Sequence, residues 1–446
     1  MMKNDILKTV NSNNSAPGGY KNDRERERFE LSHAIRTDFG LNSVRSVNVT
    51  SDNRFLIITF EKSIPRIRIV DLEKLEFLPY EYSGHTDSVR MTRVTRDNKA
   101  FHTASWDGSS RRFEIESGKC DLILSGFGRS PSCFLEPEQK LLFTASYDAD
   151  CDLESKNSGR CWDLTSGKTI GLYRHTNERL SPESIDIVFE NGRVYTGSDD
   201  GCAYQWDISG EKKLIKYFSF NGCVRKLALS PNYFAAACTD GIARVYYKHT
   251  GVFFRHFFHF DKDVREVRIS KDEKRLWTAT DGGTVSCFNL LTGKLIYSRK
   301  VHPLWIWSVC LMNDEKILVT GSGDGSVAFL SAESGQIVAQ LYNLPGNNDF
   351  LITCPSDKVF PTGFFYATDT DLIQVIKDDK EMQTQELLDL NDPRRIEYIN
   401  KLNLKNLIIT KLRNTKHYTS LTENYMTNKN LLDQLSGGNR TYMLKA

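Results

Sequence analysis

The chain has 446 residues, of which 39% are hydrophobic, 11% aromatic and 26% charged. That profile supplies enough apolar surface for a large core and excludes disorder across the whole length, while the length itself exceeds that of an ordinary single domain. A formal net charge of +2, from 59 basic and 57 acidic side chains, gives no global pull toward nucleic acid or anionic membrane, so any electrostatic specialisation must be local.

Residues 1–38 carry NSNNSAPGG and then the charge-alternating YKNDRERERFE, a composition that predicts a flexible, solvated arm without an apolar signal core. No apolar run approaches the roughly eighteen residues needed to span a bilayer. The ten cysteines include no CxxC pair, which argues against a zinc ribbon or a dense disulfide framework and for reduced thiols in a cytoplasmic protein.

From about residue 44 a strand-turn-strand phrase recurs along the chain. A diverged copy, FLIITFEKSIPRIRIVDL, covers Phe55 to Leu72, and FHTASWDGSSRRFEI covers Phe101 to Ile115. A third, LLFTASYD followed by RCWDL, is split by the polar stretch ADCDLESKNSG and predicts a lengthened hairpin loop. VYTGSDDGCAYQWDI (from Val194), FAAACTDGIARVYY (from Phe234), LWTATDGGTVSCFNL (from Leu276) and LVTGSGDGSVAFL (from Leu318) follow, and FFYATDTDLIQVI closes the series at Ile376. The turn glycines Gly201, Gly241, Gly283 and Gly325 are 40, 42 and 42 residues apart. A fixed period of this size marks a repeat architecture.

Each unit has short β-branched or aromatic runs bounded by Gly-containing turns, the signature of a four-stranded antiparallel meander. A single meander leaves two apolar faces in water. Packing such sheets face to face around an axis buries both and leaves only short edges. Seven repeats are definite. Asp349 to Ile376 predicts an eighth blade, the alternative being seven blades with a C-terminal extension, and closure is expected to borrow an outer strand from one terminus. Beyond residue 378, Asp392 and Pro393 stand as N-cap and first helical residue, which predicts a mainly helical extension over 379–446, either docked on the ring or free to bind a partner. The division expected is an arm over 1–38, a propeller over 39–378 and the extension.

The repeats resemble the WD40 family, whose marks are a Gly-His before the first strand, an Asp in the hairpin turn and a Trp-Asp closing the third strand. Gly84 and His85 supply the first mark in the second repeat, and Trp162-Asp163 and Trp206-Asp207 the last in the third and fourth. The resemblance implies an all-β WD40-type propeller. It also implies that His175, Thr196, Asp200 and Trp206 form a structural hydrogen-bonded tetrad, and that His85, Thr103 and Asp107 form its counterpart with Phe113 in place of the Trp.

No His-Glu metal pair, phosphate-binding Gly loop or nucleophile elbow is present, so neither catalytic residues, metal ligands nor cofactors are expected. In WD40 proteins the residue after the first apolar position of the innermost strand tends to face the upper mouth of the channel. The segments VRSVNV, VRMTRV, VRKLAL and VREVRI place Arg45, Arg90, Arg225 and Arg265 there, and WIWSVC places Trp307 there with Trp305 two residues earlier. Arg129 holds a nearby place in the third repeat; the fourth, with Ile185, departs. Converging guanidiniums beside indoles suit an acidic or phosphorylated ligand; the alternative is that these arginines pair with acids such as Asp87, Asp263 or Glu266.

The resulting expectation is a non-enzymatic protein-interaction scaffold whose upper face recognises an acidic or phosphorylated protein segment. A nucleic-acid or ribonucleoprotein-associated propeller is one alternative. A metal-dependent propeller hydrolase is the other.

Overall fold

The computed structural model describes residues 43–382 apart from 62–65, 148–157, 176–183, 209–213, 260–262, 313, 344–348, 355–363, 368–374 and 378–379. The expected arm, and the extension apart from a short strand at Lys380–Met382, lie outside the described residues, as does the inserted third-repeat loop.

Among the described residues seven antiparallel sheets form the blades, each beginning as a meander of four strands in sequence order, and the seventh gains two more. Their innermost strands are Val44–Val49, Val89–Val94, Arg129–Leu135, Ser184–Glu190, Val224–Leu229, Val264–Ile269 and Ile306–Met312. Each packs against the next, and the last packs against the first, so the ring closes at seven blades.

Burial of both sheet faces explains why the second strands are built mostly from apolar and small residues. In Phe55–Phe60 all six residues are buried. Phe55 and Ile57 face blade 2, clustered with Val89, Phe101 and Phe113. The alternate residues Leu56, Ile58 and Phe60 face blade 7, clustered with Val319, Val327 and Phe329. The outer strands bury less: Cys120–Ser125, for example, alternates exposed and partly buried residues before Leu124.

Among the described residues the expected eighth blade does not form. Phe350–Cys354 pairs antiparallel with the outer strand of blade 7, Ile337–Asn343, and Phe364–Ala367 pairs in turn with Phe350–Cys354, giving one six-stranded sheet. Two physical reasons account for the difference. The inner circle is already complete, because the Ser308 hydroxyl of blade 7 accepts a hydrogen bond from Val47 N of blade 1 at 3.2 Å. The closing segment also carries Pro355 and Pro361, which cannot donate ladder bonds.

Among the described residues closure borrows no strand across the junction either: blade 1 is built from its own consecutive strands. The seam is held by side chains. Phe350 meets Phe77 edge-on at 5.2 Å between ring centres, within a cluster that also contains Leu72, Leu75, Ile352 and Cys354.

Candidate functional site

Pairing of the first two strands slips by one residue at the same point in most blades. The shift falls between Val44 and Ser46, Val89 and Met91, Val224 and Lys226, Val264 and Glu266, and Ile306 and Ser308. The residue left out of the ladder is therefore Arg45, Arg90, Arg225, Arg265 and Trp307 in turn. A bulge frees one residue from pairing and re-aims its side chain. Ring symmetry then sends five such side chains to one place.

They line a cavity of about 240 Å³ at the channel mouth, together with Trp106, Arg129, Lys226 and Glu266. Trp307 sits between the blades carrying Arg265 and Arg45, whose guanidinium carbons lie 4.3 and 3.9 Å from its ring centre. Arg90 lies 5.2 Å from the same ring and 4.1 Å from that of Trp106. Arg129, exposed at the rim, approaches Trp106 at 5.4 Å. Trp305 meets Trp307 edge-on at 6.0 Å but does not line the cavity. It packs over Gly323, where an added Cβ would fall 2.2 Å from its Nε1.

The arginines divide into two kinds. Arg45 is ion-paired to Glu61, and Arg265 holds Asp281 through both Nε and Nη2, the latter at 2.9 Å. Glu61 and Asp281 occupy the residue immediately after the second strand of their blades, the place that Trp106 takes in blade 2. Arg90 and Arg225 have no acidic partner among the described residues. Of the acids weighed in the sequence, Glu266 is engaged with Arg268 at 3.2 Å and Asp87 with its neighbour Ser88 N at 2.6 Å.

Several donors in the cluster are shut off from solvent without an acceptor among the described residues: Arg45 Nη1 and Nε, Arg90 Nη1, Arg225 Nε and Trp307 Nε1. The electrostatic consequence is clearest at Arg90. Burial, followed by the charge of Arg45 and then those of Arg265 and Arg225, lowers its pKa to about 9 against the opposing pull of Glu61. Burial lowers that of Arg45 as well, partly offset by Glu61.

Around the cavity a second, buried set of charges runs from blade to blade. Asp186 accepts from Ser132 Oγ at 2.5 Å, Leu227 N at 2.8 Å and Lys226 Nζ at 3.3 Å. Lys226 stands 4.0 Å from Glu266. Arg268 in turn donates to Val309 O at 2.8 Å, so blades 3 to 7 are joined through polar side chains. The sequence does not mark Trp106 as a cavity wall, Asp186 and Lys226 are not among its candidates, and Glu266 enters only as a partner for the rim arginines. Their signal was available: the third residue of the inner strand is charged in SIDIVFE, VRKLAL and VREVRI.

The histidine networks fix the loops feeding this mouth. His175 Nε2 and Trp206 Nε1 both meet Thr196 Oγ1, at 2.8 and 2.9 Å, and His175 Nδ1 faces Asp200 at 3.4 Å. In blade 2 His85 bridges Thr103 at 2.8 Å and Asp107 at 2.7 Å, with buried Phe113 tilted beside it. Blade 7 repeats the set with His302, Thr320 and Asp324. Trp162 donates to Thr144 at 2.9 Å in blade 3.

A family model described as "WD domain, G-beta repeat" matches residues 293–329, which span the outer strand of blade 6 and most of blade 7. Seven four-stranded blades, three His-Thr-Asp networks and this match decide the family. The chain is a WD40-repeat β-propeller.

Relatives of the propeller extend the likeness beyond one repeat. A guanine nucleotide-binding protein subunit beta from Saccharomyces cerevisiae is 24% identical over 222 residues, 46% of this chain and 50% of the relative. The WD repeat-containing protein 91 homolog of Dictyostelium discoideum is 18% identical over 300 residues, 62% of this chain and 38% of the relative. U3 small nucleolar RNA-associated protein 12 of Saccharomyces cerevisiae is 22% identical over 286 residues, 64% and 26% of the two chains. This WD40 propeller thus spans about half the length of the first of these relatives and less of the others.

Among the described residues no group of three or more His, Cys, Asp or Glu side chains is arranged to hold a metal ion, and no helix is long and apolar enough to cross a membrane.

Proposed function

We propose that this propeller is a non-enzymatic interaction scaffold whose arginine-lined mouth receives an acidic or phosphorylated segment of a protein partner. The observation that carries this reading is the pair Arg90 and Arg225. Both are bulge residues aimed into one cavity, and neither has a carboxylate partner among the described residues. Both are partly buried, and a cation taken out of water without a counter-ion costs folding free energy. Holding such cations at one spot stabilises the protein only when an anion arrives. The similarity to a G-protein beta subunit, a member of an assembly by its name, is consistent with a scaffold.

The same arginines and indoles could in principle meet phosphates and bases, and one relative is named as associated with a small nucleolar RNA. The cations here converge on a single cavity and do not track along a groove, as a nucleic-acid backbone requires. A partner segment inserted end-on or side chain-first fits that geometry better.

The test is affinity purification with wild-type protein and with Arg90→Ala/Arg225→Ala. Neither arginine holds an ion pair among the described residues, so the double variant should melt no lower than the wild type while its partners are lost. Partners retained by the double variant would overturn the proposal. Log-linear loss of binding with salt, steep enough for several phosphates, would transfer the site to nucleic acid.

A further inference from the structure

We infer that the group seated among Arg90, Arg225 and the Trp307 indole is a phosphoryl dianion and not a carboxylate. The inference rests on the preceding reading that the cavity receives an anion, and it names the chemistry of that anion.

Charge balance within the cluster points to it. Each carboxylate already present neutralises one arginine: Glu61 takes Arg45, and Asp281 takes Arg265. Asp186 takes Lys226 and Glu266 takes Arg268 in the buried set around it. Arg90, Arg225 and the rim residue Arg129 are left over. A single carboxylate would offset one of these three charges, whereas a phosphoryl group, carrying about −1.5 to −2 at neutral pH, would offset most of the charge of the inner two, Arg90 and Arg225.

Donor geometry gives the second argument. Donor side chains reach the cavity from residues in at least four different blades, Arg45, Arg90, Arg225 and Trp307 among them. Donors converging from several sides suit a tetrahedral group with three terminal oxygens, whereas a planar carboxylate presents two oxygens along one edge. In this same site, Arg265 reaches both oxygens of Asp281 from one side. The stacking of Arg45 and Arg265 on Trp307 also fixes those two guanidiniums, so little rotamer freedom remains to be lost when the anion enters.

The experiment titrates the full chain with phenyl phosphate and with benzoate at constant ionic strength, by calorimetry. The two probes share a ring and differ in the anion. At pH 7.5 phenyl phosphate should bind at least about tenfold more tightly, and the preference should shrink near pH 5 as the second phosphate proton, with a pKa of about 6, returns. In Arg90→Ala/Arg225→Ala the phosphate preference should vanish.

A phosphoserine peptide binding well above phenyl phosphate assigns the group to a phosphorylated segment, and equal binding assigns it to a free small phosphate. Benzoate matching phenyl phosphate, or undiminished phosphate binding by the double variant, overturns the inference. Partners lost by the double variant in a protein that ignores phenyl phosphate would sink only this inference. Partners retained would sink the function proposed above.

Discussion

The guanidinium of Arg45 lies 3.9 Å from the centre of the Trp307 ring, across the seam where the first blade meets the last, and is ion-paired to Glu61 in its own blade. One side chain therefore joins ring closure to the wall of the ligand cavity. With only 7% of its side chain exposed, it depends on Trp307 and Glu61 to compensate for lost hydration. Site and seam are one piece of packing.

Trp307 should consequently be the most sensitive residue of the cavity. Trp307→Ala removes the ring shared by Arg45 and Arg265, each contact being worth about 1–2 kcal/mol when partly desolvated. A loss of about 2–4 kcal/mol in urea unfolding is expected, along with loss of partner binding. Trp307→Phe keeps a π face but not the indole N–H, so it should recover about half of the stability and little of the binding. Equal stability of the Ala and Phe variants would show that the ring face does not hold these arginines.

Proton linkage at His102 gives a prediction away from the site. This histidine is buried in Ala100–Ser105, and its Nδ1 has no acceptor among the described residues. Burial, with a smaller push from Arg112, lowers its pKa to about 3. In the unfolded chain a histidine takes its proton near pH 6.5. Unfolding therefore binds a proton between those values, so the contribution is whole above about pH 6.5 and falls with pH, by about 1.4 kcal/mol per unit. Between pH 7 and pH 5 the wild type should lose about 2 kcal/mol more than His102→Leu. His85 and His175, also lowered by burial, leave a residual slope in the variant. Parallel stability curves for the two proteins would rule the assignment out.

The repeat was legible because every blade buries both faces, so Phe55–Phe60 and its counterparts must stay mostly apolar or small between turn glycines whatever else varies. The arginine cluster was legible as a phase: four Val-Arg pairs begin equivalent strands. Its cause was not, since the bulges at Arg45, Arg90, Arg225 and Arg265 carry no glycine to mark them. Trp106 was hidden because it precedes Asp107 and so resembles a family dipeptide in the wrong place. Blade number was illegible for another reason: the apolar pattern of Phe350–Cys354 shows that it pairs, not with what, and the circle of inner strands was full before it was reached.

The buried charges around the cavity should behave as one unit. Burial lowers the pKa of Lys226 against the pull of Asp186 and Glu266, and raises that of Glu266. With side chains 4% and 0% exposed, Lys226 and Asp186 are each other's compensation. Asp186→Ala leaves Lys226 buried beside Glu266 alone and should cost about 3–5 kcal/mol. Lys226→Met should cost less, because Asp186 keeps its bonds from Ser132 and Leu227. Combining the two should recover at least about 1.5 kcal/mol relative to the sum. Additive losses would mean that the two charges do not interact.

Closure by packing at the seam predicts an unusual dependence on the last described strands. Phe350 is fully buried, 5.2 Å from Phe77, yet it belongs to a strand outside the four that make a blade. Were that strand a mere extension, trimming its side chain would cost little. As part of the wall between blades 1 and 7, Phe350→Ala should cost about 3–5 kcal/mol. In a double-mutant cycle with Phe77→Ala, the edge-on ring pair should appear as coupling of about 0.5–1.5 kcal/mol. Because Leu72, Leu75 and Phe77 lose their cover together, hydrogen exchange in Phe350→Ala should accelerate first in blade 1, far away in sequence, before it does so in blades 3 to 5. Uniform acceleration around the ring would show that the seam opens no earlier than any other interface.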